Sequence, residues 1–508
     1  MMIELENISR IRNNQSIDLN KITALSYHAF FDLSIKLFEQ ESKHCLTYFA
    51  YKKDKGLQFI MAVADDENHD IILLSHFLKS SEKQELKSLS ETIFALHIFE
   101  SEIHENFGVD FLNHPWLKPV RFAHNRANKK SQISNYPFYA IQSEELHEVG
   151  VGPIHAGIIE PGHFRFICNG ENVLHLEIQF GWQHRGVEQL FLDKKHNLQR
   201  NILAENIAGD TVIGHTSTFV QTMEALADKQ VSEQTQIERA LALELERIAI
   251  HTGDIGALCT DAAYHLGSNV FAILRTLIIN FTQFWCGNRF GKSLIRLGGT
   301  HLPFTEEFKK ELLEVLLKFE KQFNEMAYVT YHLPSIQNRF DFVGTVSQKQ
   351  ARLIGTVGVS ARMSQIERDI RVSHPNFAYQ KYPYKTITAE KGDVFARFLL
   401  KKKEIARSIA WIRNLMDNYQ FEASKTEKPN YNLTLQTNKL AISINEAWRG
   451  EVCHCAITNE EGNLEHYKIT DPSLHNWKAL ELSLRNVEIS DFPINNKSYN
   501  LSYCGHDL

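Results

Sequence analysis

The chain has 508 residues, 43% of them hydrophobic and 23% charged, enough to bury a sizeable core in about two to four domains. Its net charge of -6, with both signs interspersed, excludes the basic footprint that nucleic acid requires, so no nucleic-acid partner is expected. The opening MMIELENISR lacks a signal pattern, and seven scattered cysteines without a CxxC pair point to reduced thiols in the cytoplasm.

Residues 1 to about 120 mix short apolar runs with helical stretches. The segment AHNRANKKSQISN has no periodic apolar positions and predicts an interdomain linker, with a boundary near 125 to 145. Next, FRFICNGENVLHLEIQF sets an Asn-Gly turn between two runs. Leu174, Leu176, Ile178 and Phe180 alternate with His175, Glu177 and Gln179, which predicts a β-hairpin with one buried face. From about 185 to 420 the apolar spacing becomes helical, as in QIERALALELERIAIHTGDIGALC, and predicts a helical bundle. Inside it the apolar stretch from Asn269 to Trp285 carries Arg275 and Asn280 near its middle. A charge there costs about 2.5 to 3.5 kcal/mol on insertion into a bilayer, so a buried helix is expected rather than a span. The tail from about 430 returns to strand-like, turn-rich sequence.

Arg247, His251, Asp254 and Asp261 fall on one side of a helix and form a polar stripe. Spacing alone favours a solvated charged face; the functional alternative is a proton relay, because a buried histidine and carboxylate can pass protons between them. GNRFGKSLIRLGG, ARMSQIERDIRVSHP and EAWRGEV concentrate arginine and glycine, suited to anion clamping or ion pairing. GNRFGKS has GxxxGKS spacing and is not a phosphate loop. Cys453, His454 and Cys455 put two sulfurs on one face of a strand, where a metal site would need further ligands; two small apolar residues in a strand is the plainer reading.

These segments, in this order, resemble a known family over nearly the whole chain. FESEIHENFGVDFLNHP (99–115) is similar to the signature of the 30 kDa subunit of respiratory complex I. GVGPIHAGIIEPGHFRF, GWQHRGVEQL, ELERIAIHTGDIGALCTD, GNRFGKSLIRLGG, ERDIRVSHP, GDVFARF and AWRGEV resemble its 49 kDa subunit. Both modules in one chain resemble the large subunit of formate hydrogenlyase and other energy-converting nickel-iron hydrogenases. The resemblance implies an α+β fold: a 30 kDa-like domain (1–125), a linker (126–147), and a hydrogenase large-subunit-like helical bundle flanked by β structure (148–508).

In those hydrogenases two CxxC pairs hold nickel and iron, since thiolates bind soft metals tightly. Anchoring on the glycine and His215 of ENIAGDTVIGH puts Ala208 and Thr211 at the first pair, and anchoring on Asp507 puts Ser502 and Gly505 at the second. All four ligands are missing, and Cys504 lies one residue off. The complex I quinone pocket has a histidine and a tyrosine where this chain has Ile159 and Gly209. His251 and Asp261 fall on the family's buried proton-coupling pair, and Glu188 on an acidic residue near the metal pocket.

The resemblance therefore implies a large subunit of a complex I-related oxidoreductase, acting in electron and proton coupling and binding no cofactor itself. An iron-sulfur cluster is expected in a small partner subunit, with membrane-arm subunits as further partners, and attachment to the cytoplasmic face of the inner membrane through them. Alternatives stay open: a quinone-reacting subunit using His155, Asp210 and Thr211, a non-catalytic assembly scaffold, and a working hydrogenase.

Overall fold

The structure is a computed structural model and describes residues 8–157 and 159–508. Near the N-terminus lie β1 (Ser9–Ile11), β2 (Gln15–Asp18) and helix α1 (Tyr27–Phe38), capped by the Ser26 hydroxyl, which accepts from the Ala29 amide. Strands β3 (Lys43–Lys53), β4 (Gly56–Asp65) and β5 (Asp70–Lys79) follow, and then α2 (His97–Phe107). The sheet runs β1-β5-β4-β3 with these four antiparallel, and the two-residue strand Ala24–Leu25 pairs parallel to β5. Every residue of β4 is buried, because both faces are covered. Phe30, Leu33, Phe99 and Ile103 of α1 and α2 pack on one face, and the C-terminal sheet packs on the other.

After residues 126–146, whose only regular element is a single short turn of helix at Ile133–Asn135, come β6 (His147–Val151), β7 (His163–Asn169) and β8 (Asn172–Gln179). The hairpin of β7 and β8 is the one its alternation predicts, with a bulge between Ile167 and Cys168. Its second face is buried too: Glu177 and Gln179 are covered by the preceding segment, where Lys118 and the Tyr139 amide bind Glu177 and the Ile133 carbonyl accepts from Gln179.

The helical region contains α3 (Val212–Leu226), α4 (Glu233–Asp261), α5 (His265–Cys286), α6 (Glu306–His332) and α7 (Val394–Asn418) around one large apolar core. Gly253 and Gly256 bring α4 against α5; a Cβ on Gly253 would stand 2.9 Å from the Arg275 side chain. The expectation of a buried helix over 269–285 needs correction. Helix α5 buries Phe271, Leu274, Ile278, Phe281 and Trp285 but leaves Leu266, Ile273 and Phe284 exposed, the one-sided pattern of a helix lying on a core. No described helix is long and apolar enough to cross a membrane.

The last elements are β9 (Lys439–Glu446), β10 (Glu451–Thr458), β11 (Leu464–Thr470), α8 (Pro472–Ser483), α9 (Phe492–Tyr499) and the five-residue α10 (Tyr503–Asp507). Their sheet has the order β11-β10-β9-β2, so its edge strand comes from the other end of the chain, with Leu440 opposite Ile17. Cys453 and Cys455 sit in β10 with both sulfurs in the apolar layer against the N-terminal sheet; all seven cysteines are free and buried.

Candidate functional site

The two segments aligned with the family's cysteines meet at the junction of α3, the β9–β10 turn and α10. Ala208 is buried, offers no ligand atom, and precedes Asp210 and Thr211 at the start of α3. Arg449 grips Asp210 in a fork, Nη1 to Oδ1 and Nη2 to Oδ2 at 2.7 Å each, and gives its Nε proton to the Asn500 carbonyl at 2.6 Å. The Thr211 hydroxyl donates to Asp210 at 3.1 Å and accepts from Arg449 (3.0 Å) and from the Trp448 indole (3.1 Å). On the opposite side, the Ser502 hydroxyl caps α10 by accepting from the Gly505 amide at 2.9 Å. Gly505 lies flat on Asp471: a Cβ there would stand 2.5 Å from Asp471 Oδ2 and 2.9 Å from Ser502 Oγ. Cys504 is buried beside Ser502, and burial and Glu160 push its thiol up to about 12.

The polar stripe of α4 points inward over most of its length. Arg247 and His251 are fully buried and Asp254 is 3% exposed, which rejects the solvated-face reading for these three. His251 Nε2 bonds Glu404 at 2.9 Å, and Glu404 takes two bonds from Arg362 at 3.1 and 2.6 Å. Arg362 also binds Glu446 at 2.7 Å, and Arg247 reaches Glu244 at 3.2 Å and the Ala447 and Glu446 carbonyls. Asp254 accepts from Lys401 (2.6 Å) and Asn500 (2.7 Å). Burial pushes His251 below the ordinary imidazole value, which favours its neutral form. Burial opposes ionisation of Glu404, yet Arg362 and His251 hold it well below the carboxylate range. Asp261 is different: it lies exposed at the C-terminal end of α4, and His251 is paired with Glu404 instead. The expectation that His251 and Asp261 are buried partners is therefore corrected; ten residues of helix span about 15 Å, and the second lies past the packed part.

Of the remaining candidates, Asp210 and Thr211 are brought together, while the His155 ring is tied to the Gly162 carbonyl at 2.8 Å within its own loop. Glu188 accepts from the Ile469 amide at 2.9 Å and pairs with Lys468 at 3.1 Å. It lines a cleft of about 610 Å³ between the N-terminal sheet and the bundle, with Glu102, Arg121 and Lys468 also in its wall. Sequence reasoning missed Glu246, Asp471 and the partners of His251. Glu246 accepts from the Ile213 and Gly214 amides at 2.7 and 3.2 Å and shares a narrow cavity with Asp210. Burial, with the charge of Asp210 adding to it, pushes its carboxyl up to about 8. Its position between Glu244 and Arg247 was the only signal, and it reads as ordinary helix surface.

Two separate regions of the chain match two subunit families. Residues 26–128 match the family "Respiratory-chain NADH dehydrogenase, 30 Kd subunit" and residues 266–445 match "Respiratory-chain NADH dehydrogenase, 49 Kd subunit". The chain thus carries fused complex I 30 kDa and 49 kDa domains. It is 24% identical to Hydrogenase-4 component G of Escherichia coli over 75% of this chain and 65% of that protein. It is 23% identical to an NADH-quinone oxidoreductase subunit of Phocaeicola vulgatus over 86% of this chain and 90% of that one. A solved chain of a membrane-bound sulfane sulfur reductase, an archaeal respiratory membrane complex, shares the fold at a TM-score of 0.66 and 19% identity, over 73% of this chain and 100% of that chain. The chain spans just under two thirds of the length of Hydrogenase-4 component G.

Proposed function

We propose that this chain is the hydrogenase-like large subunit of a membrane-associated, complex I-related oxidoreductase complex, works without a nickel-iron centre, and acts in coupling electron transfer to proton movement. The observation that carries this is the content of the former ligand pocket. Ala208 and Gly505 have no donor atom, and the hydroxyls of Thr211 and Ser502 are already hydrogen-bonded to Arg449, Trp448 and the Gly505 amide. These residues do not fit a nickel-iron centre, which needs thiolates. What occupies the space is an ionic and hydrogen-bonded cluster, with the buried Arg362–Glu404–His251 network next to it.

Electrons would come from an iron-sulfur cluster in a small partner subunit, and attachment to the inner membrane's cytoplasmic face would come through membrane-arm partners. The names of the relatives and of the structural neighbour, subunits of hydrogenase and quinone-reducing enzymes and a membrane-bound complex, support a place in a membrane-associated complex of several subunits. The test is purification of the native complex from gently lysed cells with elemental analysis and subunit identification. The expected result is a membrane-associated assembly with iron and no stoichiometric nickel. About one nickel per chain, or quantitative recovery as a free monomer, overturns the proposal.

The quinone-reducing relative favours a second reading, in which a quinone head reaches Asp210 and Thr211 beside Arg449. Asp210→Asn then lowers quinone-dependent turnover of the complex, whereas the first reading leaves the acceptor elsewhere and that rate unchanged.

A further inference from the structure

Where the N-terminal and C-terminal sheets face each other, one imidazole stands between two carboxylates. His44 of β3 sets Nε2 2.8 Å from Glu451 Oε2, at the start of β10, and Nδ1 3.4 Å from Asp66 Oδ2, just past the end of β4. Glu451 belongs to one sheet and His44 to the other, so the ring links the two across the seam. A neutral imidazole has one N–H and one bare nitrogen, and the bare one would turn its lone pair on a carboxylate; the imidazolium alone meets both with a donor. The ring is 4% exposed and Glu451 2%, which keeps water from screening the pair. The Asp66 side chain is 19% exposed and gives a proton on Nδ1 a way out to solvent.

The other groups that face the ring do not replace its charge. Arg368, between the bundle's Arg362 and α7, is a cation that opposes protonation of His44, and its Nη1 donates to the Thr356 carbonyl at 2.9 Å. His374, from the same segment, lies 3.6 Å from Asp66 Oδ1, but its Nε2 faces the Asp70 carbonyl at 3.1 Å and burial lowers it. On α8, burial pushes His475 down to about 4. Beside His44, Lys43 is tied to Asp65 at 3.3 Å, and burial keeps the Cys45 thiol protonated. Against burial, His44 holds both Glu451 and Asp66 below the usual carboxylate range.

We propose that His44, clamped between Glu451 and Asp66, is a proton-operated latch between the two sheets: charged, it holds them together, and alkaline surroundings that take its proton release them. In the step the Nδ1–H bond breaks, the proton passes to solvent beside Asp66, and Nε2 keeps its hydrogen for Glu451. Burial and Arg368 weaken the ring's hold on the proton, yet Glu451 and Asp66 raise it above the ordinary imidazole value of 6.5. When the sheets part, the ring enters water and returns to about 6.5. Between those two values the closed form holds a proton that the open form has released, so the open fraction grows up to about tenfold per pH unit. Below that window the latch contributes in full, and above it nothing more is lost. The inference stands with or without nickel in the complex, because it rests on the seam and not on the pocket.

Strand β2 reports on the seam, since it pairs with β9 of the C-terminal sheet and the flanking Asn14 and Leu19 amides donate to the Ile442 and Asn438 carbonyls at 3.2 and 2.9 Å. The test is hydrogen exchange of the full chain across neutral and alkaline pH, read at residues 14–19, with the intrinsic pH dependence of exchange divided out. In the wild type, protection is expected to fall by up to about tenfold per pH unit above about 6.5, and in His44→Gln to stay flat. Asp66→Asn removes one of the two charges that hold the proton and should end the fall at a lower pH. A flat wild-type profile, or an equal slope in His44→Gln, overturns the proposal, and so does Asp66→Asn with an unmoved end point. Should His44→Gln fail to fold, Asp66→Asn, at a partly exposed position, decides alone. Glu246 also releases a proton on unfolding, but it sits inside the bundle in every variant, so differences between variants belong to the seam.

Discussion

At the scale of single residues, Glu246 has the largest consequence for pH behaviour. Its carboxyl is pushed from the usual 4.5 up to about 8 by burial and by Asp210. Between those values the folded chain holds a proton that the unfolded chain has released, so stability falls as pH rises across that window. Glu246→Gln keeps the shape but an acceptor for only one of the two amides, because Ile213 and Gly214 donate to different oxygens of the carboxylate. We expect it to melt below the wild type near the lower end and to lose that deficit as pH rises toward 8, as thermal unfolding across pH would show; parallel curves would remove Glu246 as the cause. Gly505 makes a second case. Restoring the family's cysteine by Gly505→Cys drives a Cβ to within 2.5 Å of Asp471, and overpacking of this kind typically costs about 1–3 kcal/mol. Gly505→Cys should therefore unfold at lower denaturant than wild type and bind no nickel; wild-type stability would show that the pocket still has room for a ligand.

At the scale of the element, α4 shows what spacing can and cannot reveal. Offsets of four and seven residues correctly grouped Arg247, His251 and Asp254 on one face. Whether that face was wet or buried could not be read from α4, because the groups that neutralise it stand on other segments: Arg362, Lys401, Glu404 and Glu446 lie about 110 to 200 residues away in sequence. Asp261 shares the offset pattern yet leaves the core, since burial of α4 ends at Cys259, two residues before it. Opposite effects follow. Asp261→Asn should change unfolding free energy by no more than about 0.5 kcal/mol, the usual range for surface positions. Glu404→Gln leaves buried Arg362 with one ionised partner fewer and should cost about 3–5 kcal/mol in a urea titration. Equal effects for the two would mean that the network carries no net charge pairing.

At the scale of the whole molecule, the two matched regions do not behave as beads on a string. Residues 139–145 are exposed, which makes Glu144 and Glu145 open to a glutamate-specific protease. The pieces on either side remain joined by the pairing of β2 with β9 and by His44, which is 2.8 Å from Glu451 and 3.4 Å from Asp66. Lys468 adds a buried bridge to Glu102. A cut at those glutamates should therefore leave both fragments eluting together at the size of the intact chain; separate peaks without denaturant would show that the interface is weak. Periodicity had exposed the hairpin and the bundle, because each is a local pattern, and the α+β class came with the family resemblance. The shared sheet was invisible, because four residues near the start carry no mark of a partner more than 400 positions later.

That shared strand also governs the order in which the chain can be completed. During synthesis Gln15–Asp18 emerge about 420 residues before their partners Lys439–Ile442, so the edge must stay unpaired while all of those residues are made. The same wiring bears on ancestry. Were the gene divided at the linker into two separate polypeptides, the small product would carry a strand belonging to the large one's sheet, and a fold would become a handshake between subunits.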